Sequence, residues 1–410
     1  MTTTRRVFIK SGAAAMLSLG FAPAFLARAA AATDGRKRLL IAVFQRGALD
    51  GLNMLVPFGE PDYYRLRPSI GIAAPGRDNG AVDLDGFFGL HPRMAPLKPL
   101  WDKGLLAPIH ACGSPDTTRS HFDAQDYMES ATPGVKSTRD GWLNRYLQAT
   151  NSTTPLQGVA VTRQTPRTMQ GRAATLSFPG VDEFAVRDTM GSAKAIEDSY
   201  TRTADSLLSA SAREAFEAMD VLQKATAGSY QPANGAEYPR SPFGRALQEI
   251  ARIAKANVGL EVAFAESTGW DTHVNQGSDN GQLAGRLDDL ARSLDALTRD
   301  LGDRLADTVI LTMSEFGRAA SENGNGGTDH GHGNAMMLIG GPVKGGHVYG
   351  KWPGLRPEQR FEARDLAVTT DFRDVFAEVV TTHLGAPATA LPRIIPGFTP
   401  GKPLGILRSA

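Results

Sequence analysis

A single cysteine, Cys112, in 410 residues excludes an internal disulfide. There is no charge imbalance either. Forty-four Lys and Arg stand against 43 Asp and Glu, a net charge of +1, so no nucleic-acid partner is expected. Histidine is scarce, with eight in the whole chain. The apolar stretch at residues 12–26 is rich in Ala and Gly, carries Pro23 and is followed by Arg28. It falls short of the roughly 20 apolar residues of a spanning helix. Glycine is abundant, at 44 residues, which suits tight strand-to-helix turns and close backbone approach. At 41% hydrophobic and 21% charged, the composition is that of a soluble globular protein with room for one large α/β domain or two smaller ones.

The first residues read as a targeting segment. Thr4-Arg5-Arg6-Val7-Phe8-Ile9-Lys10 has the pattern of a twin-arginine signal, followed by the 12–26 stretch and then Ala27-Arg28-Ala29 as a small-residue cleavage region. Residues 1–32 are therefore expected to be a signal peptide. The export machinery is then a partner, the mature protein is periplasmic or secreted, and no stable transmembrane anchor is left after cleavage. The twin-arginine route carries folded proteins, so a metal could be loaded before export.

Residues 33–410 alternate strands and helices. Apolar runs at 38–44, 105–111, 158–161, 260–265, 308–313 and 335–339 predict buried strands. Leucines at 283, 287, 290, 294, 297, 301 and 305 mark one face of a helix over 282–305, and 371–384 carries a second helical pattern. This alternation predicts a three-layer α/β/α sandwich with a mostly parallel central sheet. Residues 181–257 are rich in Ala, Ser, Glu and Gln, and are expected to be a helical insertion or cap.

The chemistry-bearing residues gather where strands end, the usual place for ligands in such sheets. Asp50-Gly51 follows the first strand; it is either a cation ligand or a common turn. Ser120 follows the second strand and opens a helix that runs to about Ser130. It is either the N-cap or a nucleophile placed where the helix start favours an anion, with Thr118 as its substitute. Arg119 could pair with anionic oxygens, and His121 could pass a proton to a leaving group. Asp271 and His273 are either two ligands on one face of an extended segment or part of a solvated loop. Glu315 ends the fifth strand. Asp329, His330 and His332 form the densest cluster of potential ligands, the alternative being a flexible polar loop. Four of the eight histidines, His121, His273, His330 and His332, fall in these patches. Mixed carboxylate and imidazole donors suit Zn²⁺, Mn²⁺ or Ca²⁺, one ion or two.

The segments Trp270-Asp271-Thr272-His273, Ser314-Glu315-Phe316-Gly317-Arg318, Asp329-His330-Gly331-His332 and Thr370-Asp371-Phe372-Arg373-Asp374 resemble the exported bacterial family catalogued as domain of unknown function 1501. In the order of its parts, the chain is similar to the alkaline phosphatase and sulfatase superfamily. The resemblance implies that Asp50 is the first ligand, Ser120 the nucleophile, Asp271 and His273 the Asp and His before the long helix, Glu315 the strand-end acid, and His330 or His332 the last His. Phe316 stands where that pattern has a second strand-end His, so one ligand is lost or replaced by Asp329. Asp271 and His273 are two residues apart rather than four. Cys112-Gly113-Ser114-Pro115 does not fit the Cys-x-Pro-x-Arg context of a formylglycine sulfatase. The expectation is an exported metal-dependent hydrolase of phosphate or sulfate esters acting on an anionic small molecule or glycan ester. Two alternatives remain: a non-catalytic periplasmic protein of the same fold that binds metal or anion as an assembly partner, and a phosphotransferase or mutase.

Overall fold

Leu39, Ile41 and Val43 pack into one hydrophobic core, and Leu40, Ala42 and Phe44 into another. A strand whose alternate side chains enter two separate cores lies in the middle of a sheet covered on both faces, which is why it reads as an unbroken apolar run. The computed structural model describes residues 37–151, 155–183 and 206–408. The signal-peptide region, 1–32, lies outside the described residues.

The described residues form β1 (Leu39–Arg46), β2 (Leu55–Val56), β3 (Val82–Asp83), β4 (Gly89–Leu90), β5 (Leu106–Gly113), β6 (Gly158–Ala160), β7 (Leu176–Ser177), β8 (Val262–Thr268), β9 (Thr308–Met313), β10 (Asn334–Gly340) and β11 (Thr370–Asp371). All six strands expected from the sequence are present. Eight of the eleven build one sheet in the order β11-β5-β10-β9-β1-β8-β6-β7, and β2, β4 and β3 form a small separate one. In the large sheet only β10 runs antiparallel, to both β5 and β9. Its amino end therefore shares a rim with the carboxyl ends of β1, β5, β8 and β9. That reversal brings the 329–332 segment to the same edge as the loops after four other strands.

The principal helices are α1 (Gly51–Met54), α2 (His121–Ser130), α3 (Trp142–Ala149), α4 (Ser206–Ala225), α5 (Pro242–Lys255), α6 (Gln282–Leu301) and α7 (Phe372–Glu378). Leu283, Leu287, Leu290, Leu294, Leu297 and Leu301 of α6 enter the first core beside Leu247 and Ile250 of α5. Each such leucine contributes roughly 1.5–3 kcal/mol through burial. Trp142, Leu143 and Tyr146 of α3 and Phe372, Val375 and Phe376 of α7 enter the second, where the Trp142 and Phe376 rings stack at 4.2 Å. These helices on both faces make the three-layer α/β/α sandwich. Of the 181–257 segment, α5 packs against β8 and α6, so it belongs to the covering layer of the sheet. Among the described residues no helix is long and apolar enough to cross a membrane.

Candidate metal centre

Four loops meet at the shared rim. The turn after β1 carries residues 47–50, α2 starts after β5, residues 270–276 follow β8, and residues 314–332 join β9 to β10. The last loop folds back on itself. Gly331 N–H donates to Gly317 C=O at 2.8 Å and Gly317 N–H to His332 C=O at 2.9 Å. A Cβ on Gly317 would overlap the Gly333 carbonyl, and one on Gly331 the Arg318 backbone. Only glycine permits this crossing, and the crossing delivers His330 to the rim.

At the meeting point the Nε2 atoms of His121 and His330 are 2.9 Å apart, and those of His273 and His330 are 3.0 Å apart. Asp271 Oδ1 lies 2.9 Å from His273 Nε2 and 3.2 Å from His330 Nε2, and its Oδ2 lies 3.5 Å from His121 Nε2. Each ring is held from behind through its other nitrogen. His121 Nδ1 donates to Glu315 Oε1 at 2.8 Å, His330 Nδ1 donates to the Arg119 carbonyl at 2.9 Å, and His273 Nδ1 faces Asp329 Oδ1 at 3.5 Å. A ring whose Nδ1 carries the proton leaves the Nε2 lone pair for the centre, where a cation among the three Nε2 atoms and the Asp271 carboxylate would find its donors.

The supporting residues shape the electrostatics. Glu315 is fully buried. Its Oε1 also accepts from Gly47 N–H at 2.8 Å and Gln125 Nε2 at 2.9 Å. Burial pushes its carboxyl up, but the bonds from His121 and Gln125 prevail and hold it below the usual range. The Glu315 bond in turn raises His121. Burial lowers His330, against the pull of its bond to the Arg119 carbonyl. Asp271 resists the upward push of burial because Arg318 Nη1 donates to it at 2.7 Å, and it stays lowered. Phe316, itself buried, packs its ring on His121 at 5.0 Å and on His330 at 5.1 Å.

The other expected site residues stand elsewhere or in other roles. Asp50 is completely buried. It caps α1 and accepts from Arg67 Nη1 at 2.6 Å and Gln276 Nε2 at 2.7 Å, away from the imidazoles. His332 is buried against the Phe361 ring at 4.3 Å. Asp329 flanks His273 and accepts from Asn323 Nδ2 at 3.1 Å. Arg119 is engaged by Glu362 at 2.7 Å and by Asp365 at 2.7 Å. Ser120 is the N-cap of α2, its Oγ accepting from Asp123 N–H at a long 3.5 Å, and Thr118 Oγ1 accepts from Ser120 N–H. The structure thus brings together His121, Asp271, His273 and His330, with Glu315 and Asp329 behind them.

Residues that sequence reasoning passed over complete the rim. Arg318, near in sequence to Glu315 and a candidate partner for it or for an anion, instead pairs with Asp271 at 2.7 Å. Gln125 lies one helical turn beyond His121, a spacing that puts both side chains on one face of α2. Gln276 and Arg67 carried no legible signal.

The donor set fits a divalent ion. Donors at about 2.0–2.1 Å from zinc in a tetrahedron stand about 3.3 Å apart; His121, Asp271 and His330 offer ligand atoms all within 4.8 Å of one another, His273 joins them through Asp271 and His330, and outer hydrogen bonds from Nδ1 are the usual support of imidazole ligands. Asp271 and His273 are 41% and 39% exposed, so the centre opens to solvent.

Fold and site together define an α/β/α protein with an imidazole-rich centre at the carboxyl rim of its sheet. The chain belongs to the family described as protein of unknown function (DUF1501), whose model matches residues 102–385. No curated protein matches it. Among solved structures it is similar to the zinc complex of the C-terminal periplasmic domain of EcEptC from Escherichia coli, at 10% identity and a TM-score of 0.36, covering 75% of this chain and 74% of that one. It is also similar to the PsFucS1 sulfatase from Pseudoalteromonas sp., at 13% identity and a TM-score of 0.35, covering 91% and 73%. A third is the lipoteichoic acid synthase LtaP from Listeria monocytogenes, at 8% identity and a TM-score of 0.31, covering 74% and 66%.

Proposed function

We propose that this protein is an exported, metal-dependent hydrolase of phosphate or sulfate esters, with one divalent ion held by His121, Asp271, His273 and His330. The observation that carries this reading is the convergence of three imidazole Nε2 atoms on one carboxylate, each ring tethered from behind. Zinc and manganese suit this donor set better than calcium, which prefers oxygen. A bound ion supplies Lewis acidity toward the anionic oxygens of an ester.

The chain's own groups do the rest. Ser120 stands directly before His121 at the start of α2, where free backbone N–H groups favour negative charge. Its Oγ attacks phosphorus or sulfur, the ester oxygen leaves, and water then cleaves the Ser120 ester. The hydroxyl proton passes to solvent. Nδ1 of both His121 and His330 is committed to a neighbour, so the leaving oxygen is protonated from solvent rather than by either ring. Glu315 and the Arg119 carbonyl keep those rings turned inward.

A second reading, a non-catalytic metal-holding partner protein, is favoured by Arg119, whose guanidinium is tied to Glu362 and Asp365. Metal analysis with nitrophenyl phosphate and nitrophenyl sulfate assays separates the two. The hydrolase reading expects about one equivalent of metal, and turnover that falls about 10³-fold or more in Ser120→Ala with metal content unchanged. Metal without turnover supports the partner protein. A chain that takes up no divalent ion ends both.

A further inference from the structure

We infer that Gln276 is the positioning residue of this centre, cross-linking the two loops that carry Asp271, His273 and His330; the inference rests on the metal reading above. Gln276 is completely buried. Its Nε2 donates to Asp50 Oδ2 at 2.7 Å. Its Oε1 accepts from Thr272 Oγ1 at 2.7 Å and from Thr328 Oγ1 at 3.0 Å. Thr272 sits between Asp271 and His273, and Thr328 lies two residues before His330. Thr328 Oγ1 in turn accepts from Arg318 Nε at 3.1 Å, while Arg318 Nη1 donates to Asp271 at 2.7 Å.

The polarity of this chain of bonds is determined at both ends. Asp50 is held as an acceptor by Arg67 at 2.6 Å, and Arg318 can only donate. The amide of Gln276 therefore has one orientation, and each threonine hydroxyl one direction. The network explains why Asp50, buried and paired with Arg67, sits after β1 among the site loops. It anchors the amide that registers the ligand loops.

The test uses the full mature chain, with zinc affinity by calorimetry and thermal unfolding of the metal-free form measured separately. Gln276→Glu sets a carboxylate against Asp50, and Gln276→Leu removes the cross-link. Outer-sphere changes of this kind weaken metal binding about 10–100-fold. The expected result is that loss in both single variants. Unchanged affinity in both single variants overturns the inference and leaves the metal reading standing. So does an affinity loss no greater than the fall in metal-free stability accounts for. A wild-type chain that binds no zinc overturns the metal reading itself.

Discussion

Glu315 Oε1 and His121 Nδ1 are 2.8 Å apart, and that bond decides which face of the His121 ring meets the centre. The carboxylate is fully buried and shared with Gly47 N–H and Gln125, so ring and strand end move as one. In Glu315→Gln the amide keeps the shape but loses the charge-assisted bond. The expected outcome is metal binding weakened about 10–100-fold and unfolding free energy lowered by about 1–3 kcal/mol. Calorimetric titration and urea unfolding of the metal-free variant check the two effects separately.

Arg67 and Asp50 form an ion pair with neither side chain more than 1% exposed. Removing one partner leaves the other charged and buried, at a cost of about 3–5 kcal/mol. Arg67→Met is therefore expected to unfold at much lower denaturant concentration than wild type. If Asp50 were instead a ligand with its charge neutralised by a cation, added metal would restore most of that loss.

Metal should stabilise the fold by mass action. At a free concentration one hundred times Kd the gain is about 2.7 kcal/mol. Differential scanning fluorimetry across a zinc or manganese series should show the midpoint climbing with concentration. A chelator should reverse the climb, and Asp271→Ala should abolish it.

Two histidines outside the centre predict the acid limb of the stability curve. Burial lowers His110 and His383 from 6.5 to about 4. Their folded-state values lie below the unfolded value, so the unfolded chain takes up protons first. Stability is fully present above pH 6.5 and falls as pH drops toward 4. Each contributes a loss of roughly 3 kcal/mol by the bottom of that window. His110 stacks on Phe88 at 4.8 Å and its Nδ1 is buried without a partner, so His110→Phe should fit the same space. Urea unfolding at pH 7 and pH 4 should show a smaller acid loss in that variant, and an equal loss would show that His110 does not titrate in this window.

The layers of this fold were legible because the strands are long apolar runs and the α6 leucines keep a helical period. The centre was legible in part because histidine is scarce and four of the eight, His121, His273, His330 and His332, fall in segments that follow or precede strands, the last two flanking Gly331. Asp50 was harder to place. An Asp-Gly pair after a strand serves equally well as ligand or helix cap, and the choice depends on Arg67 and Gln276, which local sequence does not bring near. His330 and His332 were indistinguishable by spacing. The glycine crossing at 317 and 331 separates them, sending one ring to the rim and the other against Phe361.

Composition and periodicity alone determined the sandwich architecture, the absence of an internal disulfide and the short set of residues able to hold a cation, because those properties depend on residue type and on neighbours along the chain. Which of these residues converge was decided only in three dimensions. The reversed direction of β10 and the tight backbone crossing beside it place His330 against His121 and His273, and no local pattern encodes the pairing of loops more than 50 residues apart.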